Sequence, residues 1–414
     1  MTADLRRPDY EPAACTPGVV HVGVGAFHRA HQALYLDELL HDRQQKNWAV
    51  AGVNLRPESA ELLSRLAARD GRYVLKTTAS DGASAWREIA ALRELVDHRT
   101  EPAKAEALLA RPAVQLVTMT VTEAGYHLDE DEKLLVAEVE AAEAAAGAGG
   151  TAYGYLRAGL HARRAADAGP VTLLSCDNLR DNGRKLAAGL RQYLELRGDD
   201  ELAKWLEENA SFPCCVVDRI TPAPTAELAA ETEALFGIKG DATVMGEEYV
   251  QWTVEDSFAG ARPPLERAGV QFAADVGPYE DAKLRVLNGG HVAVAFPAAL
   301  RGIEYFDQAI VDPELSALFD RYVTGEVIPA LGAAGPVDLP AYRDLIKRRF
   351  ANAHIKDTVE RICKHGANKM AVFVTPEAGF AVLAAWFGFL RAVEAGRIGF
   401  AYEEPMWEQL RPLL

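Results

Sequence analysis

The sequence predicts an α/β chain, with a mostly parallel sheet flanked by helices followed by a mainly α-helical region. Three observations predict it. A glycine turn, Gly23-Val24-Gly25, joins a short apolar strand to an amphipathic helix near the N-terminus. Further short apolar runs alternate with helical patterns through the first two thirds of the chain, the pattern of strands buried on both faces. Beyond Val276-Gly277-Pro278 the β signal fades and helical periodicity remains. Residues 1–277 are therefore expected to form one domain and residues 278–414 a second, since 414 residues exceed what one core usually supports.

Composition narrows the function classes. Apolar residues make up 49% and charged residues 25%, as in ordinary globular chains. A formal charge of -16 argues against nucleic acid or an anionic membrane as partner and favours a small molecule. No run approaches the ~18 apolar residues of a membrane span, and acidic Asp4, Asp9 and Glu11 interrupt any signal-peptide core, so a cytoplasmic location is expected. Cys15, Cys176, Cys214, Cys215 and Cys363 are too irregularly spaced for a disulfide framework or a zinc site, and no metal is expected.

The first strand and helix, Gly18 to Leu40, read as the opening of a dinucleotide-binding βαβ unit, a Rossmann-like domain. Gly23 would supply the tight turn and Gly25 the close backbone approach to a pyrophosphate. His28 replaces the third glycine of the usual fingerprint, so helix and strand must pack differently, and Arg29 becomes available to a phosphate. The competing reading is a plain strand-to-helix turn in another α/β fold. His28 and His31 lack a third ligand nearby, which favours a cofactor-side or structural role over a metal pair.

The second strand, Trp48 to Asn54, ends where an acid would take a ribose 2′-hydroxyl or an arginine a 2′-phosphate. Asn54, Arg56 and Glu58 stand there, and the reading leans to NAD with NADP left open. Further strands are expected at 72–77 and 114–121, the latter running into Thr122 and Glu123 and placing Thr120 to Glu123 near the cofactor. Residues 134–150 read as an Ala/Glu helix with a glycine loop. Strands at 170–178 and 214–222 end in Asn178 and Asp218, where a doubly wound sheet presents ligand-facing residues. Helices are expected at 280–300, 313–333, 339–350, 353–365 and 375–395.

Lys283, Asn288 and His291 lie in an apolar run, and at about 100° per residue they fall within roughly a 140° arc of a helix. They can face one cavity. Oxidising an alcohol requires a base for the hydroxyl proton and donors for the developing alkoxide. Burial could lower a lysine's pKa far enough for that role. Taken singly, Lys283 also reads as a solvated charge, His291 as a core histidine, Asn178 as a helix cap, Asp218 as a structural carboxylate, and Arg361 with Lys369 as a salt-bridged face.

The run Lys283-x4-Asn288-x2-His291 resembles the signature of the polyol-specific long-chain dehydrogenases, the mannitol 2-dehydrogenase family that includes fructuronate reductase and arabinitol 4-dehydrogenase. The similarity extends to Gly23-x-Gly25-x-Phe27-His28-Arg29-Ala-His31, Thr120-Val-Thr122-Glu123-x-Gly125-Tyr126, Ser175-Cys-Asp-Asn178, Val217-Asp218-Arg-Ile-Thr-Pro222, and Ile355 to Arg361 with Lys369 eight residues on. The resemblance implies that Lys283 is the acid/base, that Asn178 and Asn288 polarise the carbonyl or alkoxide oxygen, and that His291 bonds a substrate hydroxyl. It gives Asp218, Arg361 and Lys369 the remaining hydroxyls, adds Phe27 to the cofactor side, and implies no catalytic zinc.

The expected function is NAD(P)-dependent interconversion of a linear polyol and its ketose. The alternatives are a hexuronate reductase, an arabinitol 4-dehydrogenase, or, in a different class, a non-catalytic NAD(H)-binding sensor. The sequence leaves the oligomeric state open, leaning to a monomer.

Overall fold

The structure, a computed structural model, describes residues 3–146, 150–332, 335–373 and 380–414. Contacts divide the chain into two units: Met1–Thr77 with Ser84–Val276, and Thr78–Ala83 with Gly277–Leu414. The sequence reading assigned Thr78–Ala83 to the N-terminal domain; the contact division assigns it to the second unit.

Apolar runs without polar alternation belong in strands covered on both faces. In the first unit such runs form most of the main sheet, whose strands are β1 (Pro17–Val22), β2 (Ala49–Asn54), β3 (Leu92–Asp97), β4 (Leu116–Met119), β5 (Val171–Ser175) and β6 (Ala210–Ser211). They lie in the order β3-β2-β1-β4-β5-β6, and each neighbouring pair is parallel. This is the doubly wound dinucleotide topology, in which the winding reverses between β1 and β4 and a crevice opens beyond their carboxyl ends. Val19, Val20, Val50, Val117, Leu173 and Leu174 are fully buried.

Two smaller sheets revise the sequence reading. The strand expected at 72–77 forms as Tyr73–Thr78, but in a four-stranded sheet with Leu5–Arg6, Ser84–Ile89 and Val244–Glu247. The third parallel strand is instead Leu92–Asp97, whose charged Arg93 and Glu94 hide it from an apolar-run search. Cys215–Asp218 forms within the expected 214–222, but pairs antiparallel with Gln251–Glu255 in a three-stranded sheet that also holds Gln271–Ala273. Asp218 therefore ends a strand outside the doubly wound sheet, correcting the position expected for it.

The second unit is helical around Gly289–Leu300, whose Val292 to Phe296 are buried. This helix packs against Pro313–Tyr322, Val359–Cys363 and Phe380–Glu394. A Cβ on Gly290 would stand 2.6 Å from the Phe319 ring, so only glycine allows that approach. The helix expected at 353–365 is shorter, Val359–Cys363, because Thr358 caps it by accepting from the Arg361 N–H and bridges to Tyr305. The expected 375–395 helix is described over Phe380–Glu394, and that at 134–150 over Val136–Ala146; residues 374–379 and 147–149 lie outside the described residues.

Arg163 ties the amino ends of β4 and β5 together. Its fully buried guanidinium donates to the carbonyls of Leu109, Val114, Ala168, Gly169 and Pro170 at 2.8–2.9 Å. Burial pulls its pKa down to about 10. Replacing Arg163 with Met should leave these buried acceptors without their donor and lower stability by about 3 kcal/mol or more. Thermal or urea unfolding measures this, with the site at the opposite ends of the strands unaffected below the transition.

Candidate functional site

In the first unit the site is built on the turn after β1. Gly23 has φ +94°, and a Cβ there would stand 2.1 Å from the Thr120 carbonyl, so the position admits only glycine. Its N–H donates to the Val53 carbonyl at 2.8 Å, and the Gly25 N–H to the Gly23 carbonyl at 2.7 Å. Gly25 faces open space: a Cβ there would meet only the Gly23 carbonyl, at 3.9 Å. That clearance suits a ligand approaching the backbone.

His21 pins this turn from below. Its Nε2 lies 3.0 Å from the Gly23 carbonyl, which can only accept, so Nε2 carries the proton and Nδ1 accepts from the Thr118 hydroxyl at 2.8 Å. The ring also reaches Thr120 Oγ1 at 3.0 Å. His28, standing where the fingerprint has its third glycine, stacks flat on His21 with ring centroids 3.4 Å apart. Burial lowers the His21 pKa to about 3 and, reinforced by neighbouring His21 and Arg29, holds His28 well below the usual range. Both rings are neutral.

A cavity of about 350 Å³ opens at the carboxyl ends of β1, β2 and β4. Gly23, Gly25, Asn54, Arg56 and Thr122, all expected on the cofactor side, line it. Phe27, His28, Arg29 and Glu123 do not. Phe27 stacks on His31 at 4.9 Å and joins the core behind the turn. Arg29 is 3% exposed, donates to the Ala242 carbonyl at 2.5 Å and lies over the Tyr73 ring, which corrects the expectation that it is available to a phosphate. Glu123 is exposed on the short turn Glu123–Tyr126. Ser59, Gly125 and His127 also line the cavity and went unnoticed in the sequence as cofactor residues.

The wall formed by Thr120 to Tyr126 is held by Asp177. Its carboxylate accepts from the Val121 N–H at 3.1 Å, the Thr122 N–H at 2.9 Å and the Tyr126 hydroxyl at 2.8 Å. Burial raises its pKa, partly offset by these donors and by the charge of Arg56. Thr122 has φ +65°, a strained conformation for a β-branched residue. Asp177 was hidden in the sequence by its neighbour Asn178; its only signal was an acid at the tip of an apolar strand. Asn178 is exposed beside it and does not cap the next helix, where Asp181 takes the N-cap position. Asn182 fixes this loop by donating to the Asp177 and Cys215 carbonyls. Asp218 is 5% exposed at its strand end.

In the second unit Lys283–Asn288 forms a π-helical turn between two α-helices. The Gly289 N–H reaches back five residues to the Leu284 carbonyl. This alters the expected register: a π turn brings residues five apart almost over one another, so Lys283 and Asn288 share a side more closely than α geometry gives. Lys283 is 8% exposed. The turn packs against Leu339–Phe350 and Gly366–Phe373.

His291 stacks on Phe350 at 3.9 Å, edge-on to Phe306 at 4.8 Å, and its buried Nε2 has no partner among the described residues. Burial, then Arg361, Arg349 and Lys369, push its pKa well down, so it is neutral. The structure thus gathers His291, Arg361 and Lys369, as expected, and adds Arg349. Arg361 is clamped on both Asp357 oxygens at 2.5 Å, and Lys369 donates to the Ile362 carbonyl at 2.7 Å. Among the described residues no group of three His, Cys, Asp or Glu is placed to hold a metal, and no helix is long and apolar enough to cross a membrane.

Comparison with known proteins agrees with this architecture. Residues 17–267 match the mannitol dehydrogenase Rossmann domain model and residues 275–412 the mannitol dehydrogenase C-terminal domain model. The chain is 38% identical over 404 residues to a D-arabinitol 4-dehydrogenase of Ralstonia nicotianae, covering 94% of this chain and 87% of that protein. It is 40% identical over 387 residues to a polyol:NADP oxidoreductase of Gluconobacter oxydans, covering 91% and 78%. A solved ternary complex of Pseudomonas fluorescens mannitol 2-dehydrogenase with NAD and D-mannitol superposes with a TM-score of 0.88 at 31% identity, covering 99% of this chain and 86% of that one.

Replacing Asp177 with Ala should let the Thr122 turn relax. Strain of about 1–3 kcal/mol is then no longer held in the binding conformation, so dinucleotide affinity should fall roughly ten- to a hundredfold. Calorimetric titration with NADH, alongside circular dichroism to show that the fold persists, measures it.

Proposed function

The chain belongs to the mannitol dehydrogenase family, and from that membership we propose that it is an NAD(P)-dependent oxidoreductase interconverting a linear polyol and its ketose, with Lys283 as acid/base and no metal. The observation that carries the reading is the π turn that sets the buried Lys283 and the half-buried Asn288 on one side, three residues before His291, whose Nε2 has no partner among the described residues. The names of the relatives supply the substrate class.

Gly23, Gly25, Asn54, Arg56 and Thr122 would hold the dinucleotide, as the clearance in front of Gly25 and the adjoining cavity fit. When bound, the dinucleotide would supply the hydride acceptor for the alcohol carbon and, in the reverse direction, the hydride donor for the carbonyl. Lys283, unprotonated, accepts the hydroxyl proton as charge grows on oxygen, and in the reverse direction gives it back. Asn288 donates its amide N–H to that oxygen, and Asn178 adds a second amide donor. Neutral His291 bonds a neighbouring hydroxyl and fixes the pose; Asp218, Arg361 and Lys369 take the hydroxyls farther along.

A second reading, a hexuronate reductase, draws on the cations Arg349, Arg361 and Lys369 around His291, which would suit a carboxylate. NADH and NADPH oxidation with fructose, the ketose of arabinitol and fructuronate separates the substrates. No rate with any of them would sink both enzymatic readings and leave the non-catalytic sensor.

Three outcomes are expected. Lys283→Ala should keep dinucleotide binding while turnover falls by about 10²–10⁴, the range of a lost general base; unchanged turnover removes Lys283 from the mechanism. Chelators should leave turnover untouched, and inhibition would reopen the metal reading. Burial, with Arg361 nearby, lowers the Lys369 pKa to about 8, so its charge is present below that pH and lost above it. KM should therefore rise as pH passes about 8, and Lys369→Arg should abolish that rise.

A further inference from the structure

The geometry points to a 2′-phosphate pocket formed by Arg56 with Asn54 and Ser59, so that the protein prefers a 2′-phosphorylated dinucleotide over the unphosphorylated one. This inference rests on the dinucleotide reading above and reverses the lean of the sequence toward NAD.

The second strand of a doubly wound sheet ends where the adenosine ribose is recognised, and a carboxylate there accepts from the 2′-hydroxyl of an unphosphorylated dinucleotide. Here the last residue of β2 is Asn54. Its Oδ1 already accepts from the Val24 N–H at 2.8 Å, while Nδ2, in a side chain 2% exposed, has no partner among the described residues. The strand end therefore offers an N–H where NAD selectivity calls for an acceptor.

Two residues on, Arg56 is exposed and lines the cavity; its carbonyl accepts from the Ser59 N–H, and its guanidinium makes no hydrogen bond among the described residues, its charge reaching toward Asp177. Neighbouring arginines are committed: Arg65 to Glu61, Arg69 to Glu88, Arg93 to Asp70 and Arg99 to Asp97. Arg56 Nη2 stands over Gly125, 4.0 Å from where a Cβ there would lie, which places the guanidinium beside the Thr122–Tyr126 wall of the cavity. Ser59 lines the same wall, and its hydroxyl does not cap the helix it precedes.

No Asp or Glu is among the described residues lining the cavity. Asp97, ending the adjacent β3, is held by Arg99, and Asp177 is filled by Val121, Thr122 and Tyr126. A planar guanidinium with free N–H groups, an amide N–H and a hydroxyl form a set of donors for a phosphate, with no acidic side chain among the described lining residues.

Calorimetric titration of the full chain with adenosine 2′,5′-bisphosphate and with adenosine 5′-monophosphate tests this without turnover. The bisphosphate should bind roughly ten- to a hundredfold more tightly, the span of a charge-assisted contact, and added salt should narrow the gap. In Arg56→Ala the preference should collapse, and the ratio of kcat/KM for NADPH over NADH should fall with it; Arg56→Lys should keep part of both. Equal affinities in the native chain, or a preference that survives Arg56→Ala, would overturn the pocket. A bisphosphate preference with no polyol or ketose turnover would uphold the pocket and sink the functional reading instead.

Discussion

Everything on the dinucleotide side depends on fastening one glycine turn to the ends of two neighbouring strands. Gly23 holds a left-handed conformation against the Thr120 carbonyl, and three contacts keep it there: its N–H on Val53, the Val24 N–H on Asn54, and the His21 ring beneath its carbonyl. Two come from the end of β2 and one from β1, while Thr120 stands just past β4, so the turn takes its shape from the register of β1, β2 and β4. A parallel sheet fixes that register because side chains on both faces are buried and a one-residue slip would expose them. Stability of the sheet and geometry of the cavity are therefore one property.

The helical unit uses backbone irregularity for the same purpose. A continuous α-helix would leave Lys283 and Asn288 diverging; widening one turn aligns them and carries the ladder on into Gly289–Leu300. Around His291, the cations Arg349, Arg361 and Lys369 share a small region, where Asp357 clamps Arg361 and Glu404 adds negative charge toward Lys369. Like charges so placed are costly unless a polar ligand or solvent spreads them, and that cost is consistent with a place for a hydroxylated or anionic substrate.

The sequence was most readable where chemistry and local geometry coincide. The glycine turn, the apolar strands and the Lys283–His291 run announce themselves because few residue types satisfy those conformations. The third sheet strand was illegible because Arg93, paired with Asp70, and Glu94, paired with Arg111, break its apolar run. Asp218 was assigned to the wrong sheet because strand pairing is decided by partners far along the chain, here Gln251–Glu255. Arg29 looked like a phosphate ligand by proximity in sequence; its commitment to the Ala242 carbonyl comes from a residue over two hundred positions away. The π turn has no signature in composition, since it changes hydrogen-bond spacing rather than residue type.

The stacked imidazoles of His21 and His28 carry a further consequence, concerning the acid tolerance of the chain. Both are held neutral in the folded state, His21 with a pKa of about 3, whereas the unfolded chain protonates them near 6.5. Below that pH the unfolded state binds more protons, so stability is lost as pH falls, by about 1.4 kcal/mol per pH unit for each such histidine. In a fingerprint with glycine at that position the helix would rest on the strand at any pH. Here the same contact contributes to a lower pH limit, and it does so at the turn that lines the cavity.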